Sequence, residues 1–340
     1  MRYKELDKLQ LRQDLPDEGL AFLLTCQDPS LQEEMAARAR AVAQARFGQE
    51  VYLRGLVEWS NVCRADCYYC GIRRSSAAVP RYSLSPEEIL RCAEVIYDAG
   101  IRTIVLQGGE NPAAALALVP TVGAIRGRWP EMAITLSLGE LPFPTYRALR
   151  EAGADRYLLR HETATPAHYA QLHPAGQTLE QRLACLQELR RLGFQTGMGM
   201  MVGSPFQTLE HLMADIRLLQ AFRPEMIGLG PFLPQRDTPF AGFPAGSADT
   251  TLRLISILRL MLPSALIPAT TALASLLPQG HVRGILAGAN VIMPCFTPAT
   301  RQDAYCLYDN KSREELQAIK NELASAGYCT KPSRGDYHKN

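Results

Sequence analysis

Three cysteines lie within eight residues of one another, at Cys63, Cys67 and Cys70. Three thiolates can hold three irons of a cubane iron–sulfur cluster, which more usually takes four cysteine ligands. The remaining iron then stays open to a substrate or a second cofactor. The CxxxCxxC spacing therefore predicts one [4Fe–4S] cluster with an open iron, bound by these three residues.

Two alternative interpretations of this cysteine loop are weaker. Zinc can take three cysteines and a histidine, but zinc pairs usually run CxxC and the loop contains no histidine. A disulfide framework is typical of small secreted chains, whereas this chain has 340 residues and an odd number of cysteines, nine. Cys26, Cys92 and Cys185 fall in apolar helical patterns that are typical of buried thiols.

The cysteine loop follows a predicted buried strand, and from there strands and helices alternate. Alternation predicts a parallel sheet covered by helices, and eight units favour a (β/α)8 TIM-type barrel with an N-terminal helical cap. The predicted strands are 51–58, 102–106, 133–137, 156–160, 195–200, 226–230, 265–269 and 290–293. The predicted helices are 85–99, 112–127, 144–152, 178–192, 208–221, 249–261, 272–286 and 312–326.

The sequence divides into three predicted parts. Residues 1–48 form an N-terminal helical extension, 49–329 the barrel, and 330–340 a polar, loose tail. The net charge of +2 gives no electrostatic reason to expect nucleic acid or an anionic membrane as a partner. The N-terminus lacks the apolar core of a signal peptide, and the apolar run 252–262 is too short to span a bilayer. We therefore expect a cytoplasmic protein.

Function in such barrels collects where strands end. After the second strand come Gly108, Gly109 and Glu110. Glycines permit close approach of the backbone to a ligand, and a carboxylate accepts hydrogen bonds from an ammonium group. The alternative is a glycine turn beside a solvated acid. Thr135 and Ser137 share one face of the third strand, where they either line the lumen or bond nearby backbone.

The fourth and fifth strands end in further candidates. Arg160 and Glu162 share a face, and a buried charged pair needs partners or a ligand. Arg182, in the following helix, is placed to reach back to a carboxylate. His161 is more readily explained as a hydrogen-bonded structural residue than as a metal ligand. Met201 offers soft apolar contact to a flat ring, although core packing is the default role for methionine.

These motifs together resemble the radical S-adenosylmethionine (radical SAM) enzymes. Within that group the chain is similar to the [FeFe]-hydrogenase maturase (HydE) family from about residue 52 to 308, in the stretches 54–64, 104–107, 136–140, 155–164, 267–272 and 288–294. The resemblance implies that the reduced cluster cleaves S-adenosylmethionine to methionine and a 5′-deoxyadenosyl radical. It also implies action on a cysteine-bound Fe(CO)2CN precursor, during assembly of the hydrogenase diiron subcluster.

The resemblance assigns roles to single residues. Cys63, Cys67 and Cys70 would hold the cluster. Contacts to S-adenosylmethionine would come from Tyr69, Gly108, Gly109, Glu110, Thr135, Ser137, Arg160, Glu162, Arg182 and Met201. The substrate cavity would be lined by Arg54, Thr270, Thr271 and Met293. Gly108 departs from the hydroxyl residue frequent in related sequences. Because Cys306 and Cys329 lie far apart and form no triplet, we expect a single cluster.

Other functions fit parts of the same pattern. A radical SAM mutase or sulfur-insertion enzyme of the methylornithine or biotin synthase type would share the fold, although 54–61 and 160–162 favour the maturase. An iron-complex scaffold is disfavoured because burying Arg160, Glu162 and Arg182 without a ligand is costly. The expected partners are a small organometallic or amino-acid-derived substrate, an electron donor such as ferredoxin or flavodoxin, and other hydrogenase maturases.

Overall fold

A computed structural model describes residues 3–338. Residues 1, 2, 339 and 340, which belong to the predicted extension and tail, lie outside the described residues. The strands are β1 (Tyr52–Leu53), β2 (Gly55–Ser60), β3 (Thr103–Gly108), β4 (Ala133–Ser137), β5 (Arg156–Leu158), β6 (Gln195–Met198), β7 (Met201–Val202), β8 (Met226–Ile227), β9 (Gly230–Pro231) and β10 (Val291–Ile292).

Helices precede the barrel and alternate with its strands. They are α1 (Lys4–Arg12), α2 (Asp17–Thr25), α3 (Pro29–Phe47), α4 (Pro86–Asp98), α5 (Pro112–Ala117), α6 (Val119–Arg128), α7 (Phe143–Glu151), α8 (Pro166–Leu172), α9 (Leu179–Arg191), α10 (Leu209–Phe222), α11 (Ala248–Met261), α12 (Thr271–Leu276), α13 (Gly280–Leu286), α14 (Ala299–Gln302) and α15 (Leu316–Ser325). None of them, over residues 3–338, is long and apolar enough to cross a membrane.

The strands form a parallel barrel. Six pair in the order β2-β3-β4-β5-β6-β8, while β7 pairs with β9 and β1 with β10. Single parallel bridges complete the ring by joining Met226 to Leu266, Pro268 to Val291 and Cys295 to Leu56. All six residues of β2 are buried, as expected for a strand whose two faces are both covered. The predicted TIM-type α/β fold is confirmed.

Local signals set most of the element boundaries. Ser85 caps α4 by accepting from the Glu88 amide, and the Glu88 side chain returns the bond to the Ser85 amide. Prolines explain two differences from the predicted helices. The predicted helix 112–127 divides into α5 and α6 just before Pro120, and 272–286 divides into α12 and α13 at Pro278, because proline cannot continue the helical hydrogen bonds.

The seventh strand and the last helix are also shorter than predicted. The seventh strand, predicted over 265–269, makes only single bridges at Leu266 and Pro268, since proline has no amide to donate to a ladder. The last helix begins at Leu316 rather than at 312. The segment 303–315 instead runs over the carboxyl end of the barrel, where four of its residues line a cavity: Tyr305, Leu307, Tyr308 and Lys311.

The amino-terminal end of the barrel is covered by residues 334–337. Arg156 is fully buried there and donates to the Asp336 carboxylate at 2.5 Å and to the Arg334 carbonyl at 2.6 Å. The Tyr337 amide donates to Gln195 at 3.0 Å. Burial opposes ionisation of Asp336, but the charges of Arg156 and Arg334 outweigh it and lower its pKa. The division of the chain into extension, barrel and tail stays a prediction.

Replacing Asp336 tests this floor. Asp336→Asn leaves the buried Arg156 without a carboxylate, so we expect the free energy of unfolding to fall by about 2 kcal/mol, less than for a fully buried pair because Asp336 is partly exposed. Urea unfolding at neutral pH measures the loss. Asp303→Asn removes an exposed partner of Arg313 and should cost less than about 0.5 kcal/mol. Equal losses in the two variants would contradict the structural role of Asp336.

Candidate active site

A cavity of about 330 Å³ lies at the carboxyl ends of the strands. It is lined from nearly every side of the barrel, and by the cysteine loop and segment 303–315. The cavity is lined by every residue predicted to bind the cluster, to bind S-adenosylmethionine or to face the substrate, except Arg54 and Thr135. Side chains alternate along a strand, so these two lie one step deeper in the lumen, below Leu56 and Ser137.

The cysteine loop is held by backbone hydrogen bonds from three directions. The Arg64 amide donates to the Glu110 carbonyl at 2.7 Å, the Tyr68 amide to Leu172 at 3.0 Å, and the Gly71 amide to Leu307 at 3.0 Å. The three cysteines of the loop are free thiols that line one cavity. The loop therefore presents them together without help from a disulfide.

The thiols fit a cluster better than a single ion. Burial raises the pKa of Cys63 and Cys70, and that of Cys67 to about 12, so thiolates here need a positively charged partner. Within residues 3–338, no three His, Cys, Asp or Glu side chains surround a position for one metal ion. Cubane ligands each bind a different iron, so they need not converge on one point.

Gly108 and Gly109 allow β3 to pack against the cluster loop. A Cβ on Gly109 would lie 2.5 Å from the Val62 carbonyl oxygen and 2.8 Å from the Cys63 Cβ. A Cβ on Gly108 would lie 2.4 Å from the Trp59 ring nitrogen. The close approach that these glycines permit is therefore between two parts of the protein, and it brings the backbone of β3 to the edge of the cavity.

Glu110 joins the cluster loop to the end of β4. Its carboxylate accepts from Arg64 Nε at 2.9 Å and from the Glu140 amide at 2.7 Å. Its own amide points at Cys63 Sγ, 3.3 Å away. Each carboxylate oxygen keeps a second lone pair, so Glu110 can still accept from an ammonium group in the cavity.

Several charged atoms in the cavity lack hydrogen-bond partners. Arg160 Nη2 and Glu162 Oε2 are 2.9 Å apart. Yet both atoms, and Arg160 Nε, are buried without an aligned hydrogen bond among the described residues. Glu162 also has a φ of +64°, a conformation that costs energy for a residue with a side chain and that concentrates at functional sites. Buried charged groups without aligned hydrogen bonds suit a polar cofactor such as S-adenosylmethionine.

Arg182 completes this polar wall. Its Nε is 2.9 Å from Glu140 Oε1 and 3.3 Å from the Tyr169 hydroxyl. Glu140 Oε1 has no aligned hydrogen bond among residues 3–338. His161, by contrast, is fully buried beside Asp215 at 3.2 Å and accepts from the Gly199 amide. These contacts agree with the structural role predicted for His161.

His173 is a positioning residue that the sequence did not reveal. Its Nδ1 donates to the Tyr169 carbonyl at 2.9 Å, which leaves Nε2 to accept from the Tyr69 hydroxyl at 3.1 Å. Its ring also stacks on Tyr169 at 3.9 Å. His173 thereby orients Tyr69, which lies between Cys67 and Cys70. A lone histidine far along the chain carries no sequence signal for this contact.

Glu58, Tyr305, Tyr308 and Lys311 also line the cavity. Strand alternation could have predicted the position of Glu58, because it lies two residues after Leu56 on the same strand and so faces inward. The other three lie beyond α14, and no local pattern indicates that this segment returns to the cavity.

The chain is similar in sequence and in structure to known radical SAM proteins. Residues 57–219 match the model of the radical SAM superfamily. The chain is 41% identical over 308 residues to the [FeFe] hydrogenase maturase subunit HydE of Thermotoga maritima, covering 90% of this chain and 87% of that one. It is 29% identical over 321 residues to 3-methylornithine synthase of Methanosarcina barkeri, covering 93% and 89%. The crystal structure of methylornithine synthase (PylB) superposes with a TM-score of 0.85 at 28% identity, over 97% of each chain.

The buried His173 should make the stability of the protein depend on pH. Burial lowers its pKa to about 3, whereas an unfolded histidine titrates near about 6.5. As pH falls below about 6.5, His173 takes up a proton in the unfolded chain but stays neutral in the native chain. The free energy of unfolding therefore decreases. We expect His173→Gln to reduce the loss between pH 7 and pH 5 by roughly 2 kcal/mol, measured by urea unfolding. Parallel stability curves for wild type and variant would contradict the assignment.

Proposed function

The chain belongs to the radical SAM superfamily of enzymes, and we propose that it acts in [FeFe]-hydrogenase maturation on a cysteine-bound Fe(CO)2CN precursor. The observation that carries this proposal is the convergence of three free thiols and several buried charged atoms without aligned hydrogen bonds on one lumen. The 41% identity to HydE over nine-tenths of the chain supports the choice of reaction.

In the proposed reaction the cofactors supply the reactive species and the protein positions them. In this superfamily the reduced [4Fe–4S] cluster and S-adenosylmethionine together supply a 5′-deoxyadenosyl radical. The chain supplies position: Cys63, Cys67 and Cys70 hold the cluster, and Glu110 with the backbone of Gly108 and Gly109 receives the cofactor's ammonium group.

The remaining proposed cofactor contacts follow the geometry. Arg160, Glu162 and Arg182 offer unpaired or loosely paired charges to the carboxylate and ribose, with Ser137 and the deeper Thr135 beside them. Tyr69, oriented by His173, and Met201 flank the adenosine. Arg54, Thr270, Thr271 and Met293 are proposed to face the substrate.

The barrel also protects a reactive intermediate. A carbon radical attacks most C–H and S–H bonds within reach, so water and stray groups must be kept out and the reacting atom held close. Residues 334–337 cover the floor, and segment 303–315 covers part of the top. A lumen covered at the floor and partly covered at the top serves this purpose better than an open cleft.

A second candidate is a mutase of the methylornithine synthase type. The superposition on PylB over nearly the whole of both chains favours it, although the sequence identity is lower than to HydE. Incubation of the reduced, reconstituted protein with S-adenosylmethionine and lysine distinguishes the two. Conversion of lysine to methylornithine would overturn the maturase proposal.

The same function implies a compartment, an electron donor and partner proteins. We propose a cytoplasmic enzyme with one cluster that takes electrons from a ferredoxin or flavodoxin and hands its product to other hydrogenase maturases. The nine cysteines are all free, which supports a reducing compartment.

Formation of 5′-deoxyadenosine tests the central step. Cys67→Ser removes one thiolate, and we expect cleavage of S-adenosylmethionine to fall to background while circular dichroism stays that of the folded barrel. Cys329→Ser, which changes an exposed cysteine outside the cavity, should cleave at the wild-type rate. Cleavage by Cys67→Ser at that rate would refute the cluster assignment. Absence of 5′-deoxyadenosine with wild-type protein and an intact cluster would favour a scaffold instead.

Iron and sulfide analysis tests the number of clusters. Anaerobically reconstituted protein should hold about four irons and four sulfides per chain, the content of one cubane. Cys306 and Cys329 lie on different segments, and neither lines the cavity. About eight irons per chain would show a second cluster.

A further inference from the structure

Two charged side chains in the cavity stand outside the predicted cofactor contacts. The charged residues that line it are Glu58, Glu110, Arg160, Glu162, Arg182 and Lys311. Among these described lining residues, only Glu58 and Lys311 have no predicted role. They form an ion pair with each other, at the side of the cavity where Leu56 of β2 bridges to Cys295, two residues after Met293.

Glu58 has its hydrogen bonds committed within the protein. It is 1% exposed, and its carboxylate accepts from Lys311 Nζ, from the Thr297 hydroxyl at 3.5 Å and weakly from Cys295 Sγ at 3.9 Å. A carboxylate buried this deeply is stable only with such partners. Glu58 therefore serves to hold Lys311 more readily than to bind a ligand.

Lys311 has donors to spare. An ammonium group carries three N–H donors, and Glu58 is its one hydrogen-bond acceptor among residues 3–338. The Nζ atom lies 5.3 Å from the centre of the Tyr305 ring, a favourable cation–π position that uses no acceptor. Lys311 is mostly buried and lines the cavity, so the remaining donors are available to a ligand bound there.

The backbone fixes Lys311 from both sides. The Asp309 amide donates to the Pro234 carbonyl at 3.1 Å, and the Ser312 amide donates to the Ser275 hydroxyl at 2.7 Å. His281 pairs with Glu314 at 2.7 Å just beyond. The lysine is thus placed over the cavity by contacts to three separate parts of the barrel.

The local charge favours an anion. Arg54 faces inward four residues before Glu58 on the same edge of the barrel, and its Nε and Nη2 atoms are buried without partners in the described chain. Glu58 is paired with Lys311, whereas Arg54, although the Asp336 carboxylate favours its charged form, has no ion pair among residues 3–338. A cationic ligand would be repelled there, whereas an anionic hydrogen-bond acceptor would be attracted.

We propose that Lys311 is a substrate-specificity residue that donates to an anionic acceptor group of the substrate, and that Glu58 is the positioning residue that orients it. This inference rests on the proposed function and adds to it the residue that selects a negatively charged substrate. The cysteine-bound iron carbonyl–cyanide complex has acceptors of this class.

The test compares the KM for that complex with the KM for S-adenosylmethionine. In Lys311→Met the KM for the complex should rise roughly 10- to 100-fold more than the KM for S-adenosylmethionine, as expected for one lost charge-assisted hydrogen bond. Lys311→Arg keeps the charge and should recover part of the loss. Lys331→Met, an exposed lysine far from the cavity, is the matched control and should change neither constant.

A double variant separates binding from support of the fold. If the pair is only structural, Glu58→Gln with Lys311→Met removes both charges and should restore the KM for the complex. If Lys311 binds substrate, the double variant stays as impaired as Lys311→Met. Restoration, or an equal rise in both KM values, would overturn the inference.

Failure of the proposed function looks different. A wild type that does not cleave S-adenosylmethionine, with its cluster intact, refutes the function itself. Titration of the iron complex onto wild type and Lys311→Met needs no turnover, so equal affinities would still overturn the role of Lys311 in that case.

Discussion

Thiols buried together cannot ionise without a positive partner, and the upper half of the barrel depends on this constraint. Burial raises the pKa of Cys63, Cys67 and Cys70, so their thiolates need a positive partner, which the proposed cluster would supply. The loop that presents them is fixed by backbone bonds to Glu110, Leu172 and Leu307. Three distant parts of the chain hold the loop in place, which would couple the proposed metal site to completion of the barrel.

The polar wall beside the cluster loop differs from the floor of the lumen in how its charges are paired. At the floor, Arg156 is bonded to Asp336, to a carbonyl and to neighbouring side chains. At the cavity, Arg160 and Glu162 lie close without aligned hydrogen bonds. Buried charges left in this condition are costly. Their cost is understandable if a bound cofactor supplies the missing partners, and the left-handed backbone at Glu162 supports that interpretation.

The sequence predicted what depends on local spacing. Strand and helix periodicity predicted the barrel. Together with the resemblance, it also predicted the cysteine loop and most of the residues that the structure places in the cavity. What it missed depends on contacts between distant segments. His173 reaches Tyr69 across more than 100 residues, and Lys311 reaches Glu58 across 253. The seventh strand was predicted too long because Pro268 interrupts its ladder, an effect that apolar periodicity alone does not show.

The two halves of the chain contribute differently to the cavity. The superfamily match covers residues 57–219, which include the cysteines and every proposed cofactor contact. Thr270, Thr271, Met293 and Lys311 lie beyond it. This division follows from the chemistry, because cluster and S-adenosylmethionine are common to the superfamily while substrates differ. The C-terminal part can change most of the substrate wall without disturbing the cysteine loop; the exceptions are Arg54 and Glu58, which precede that loop, and Glu58 holds Lys311. That ion pair joins the general half of the site to the specific half.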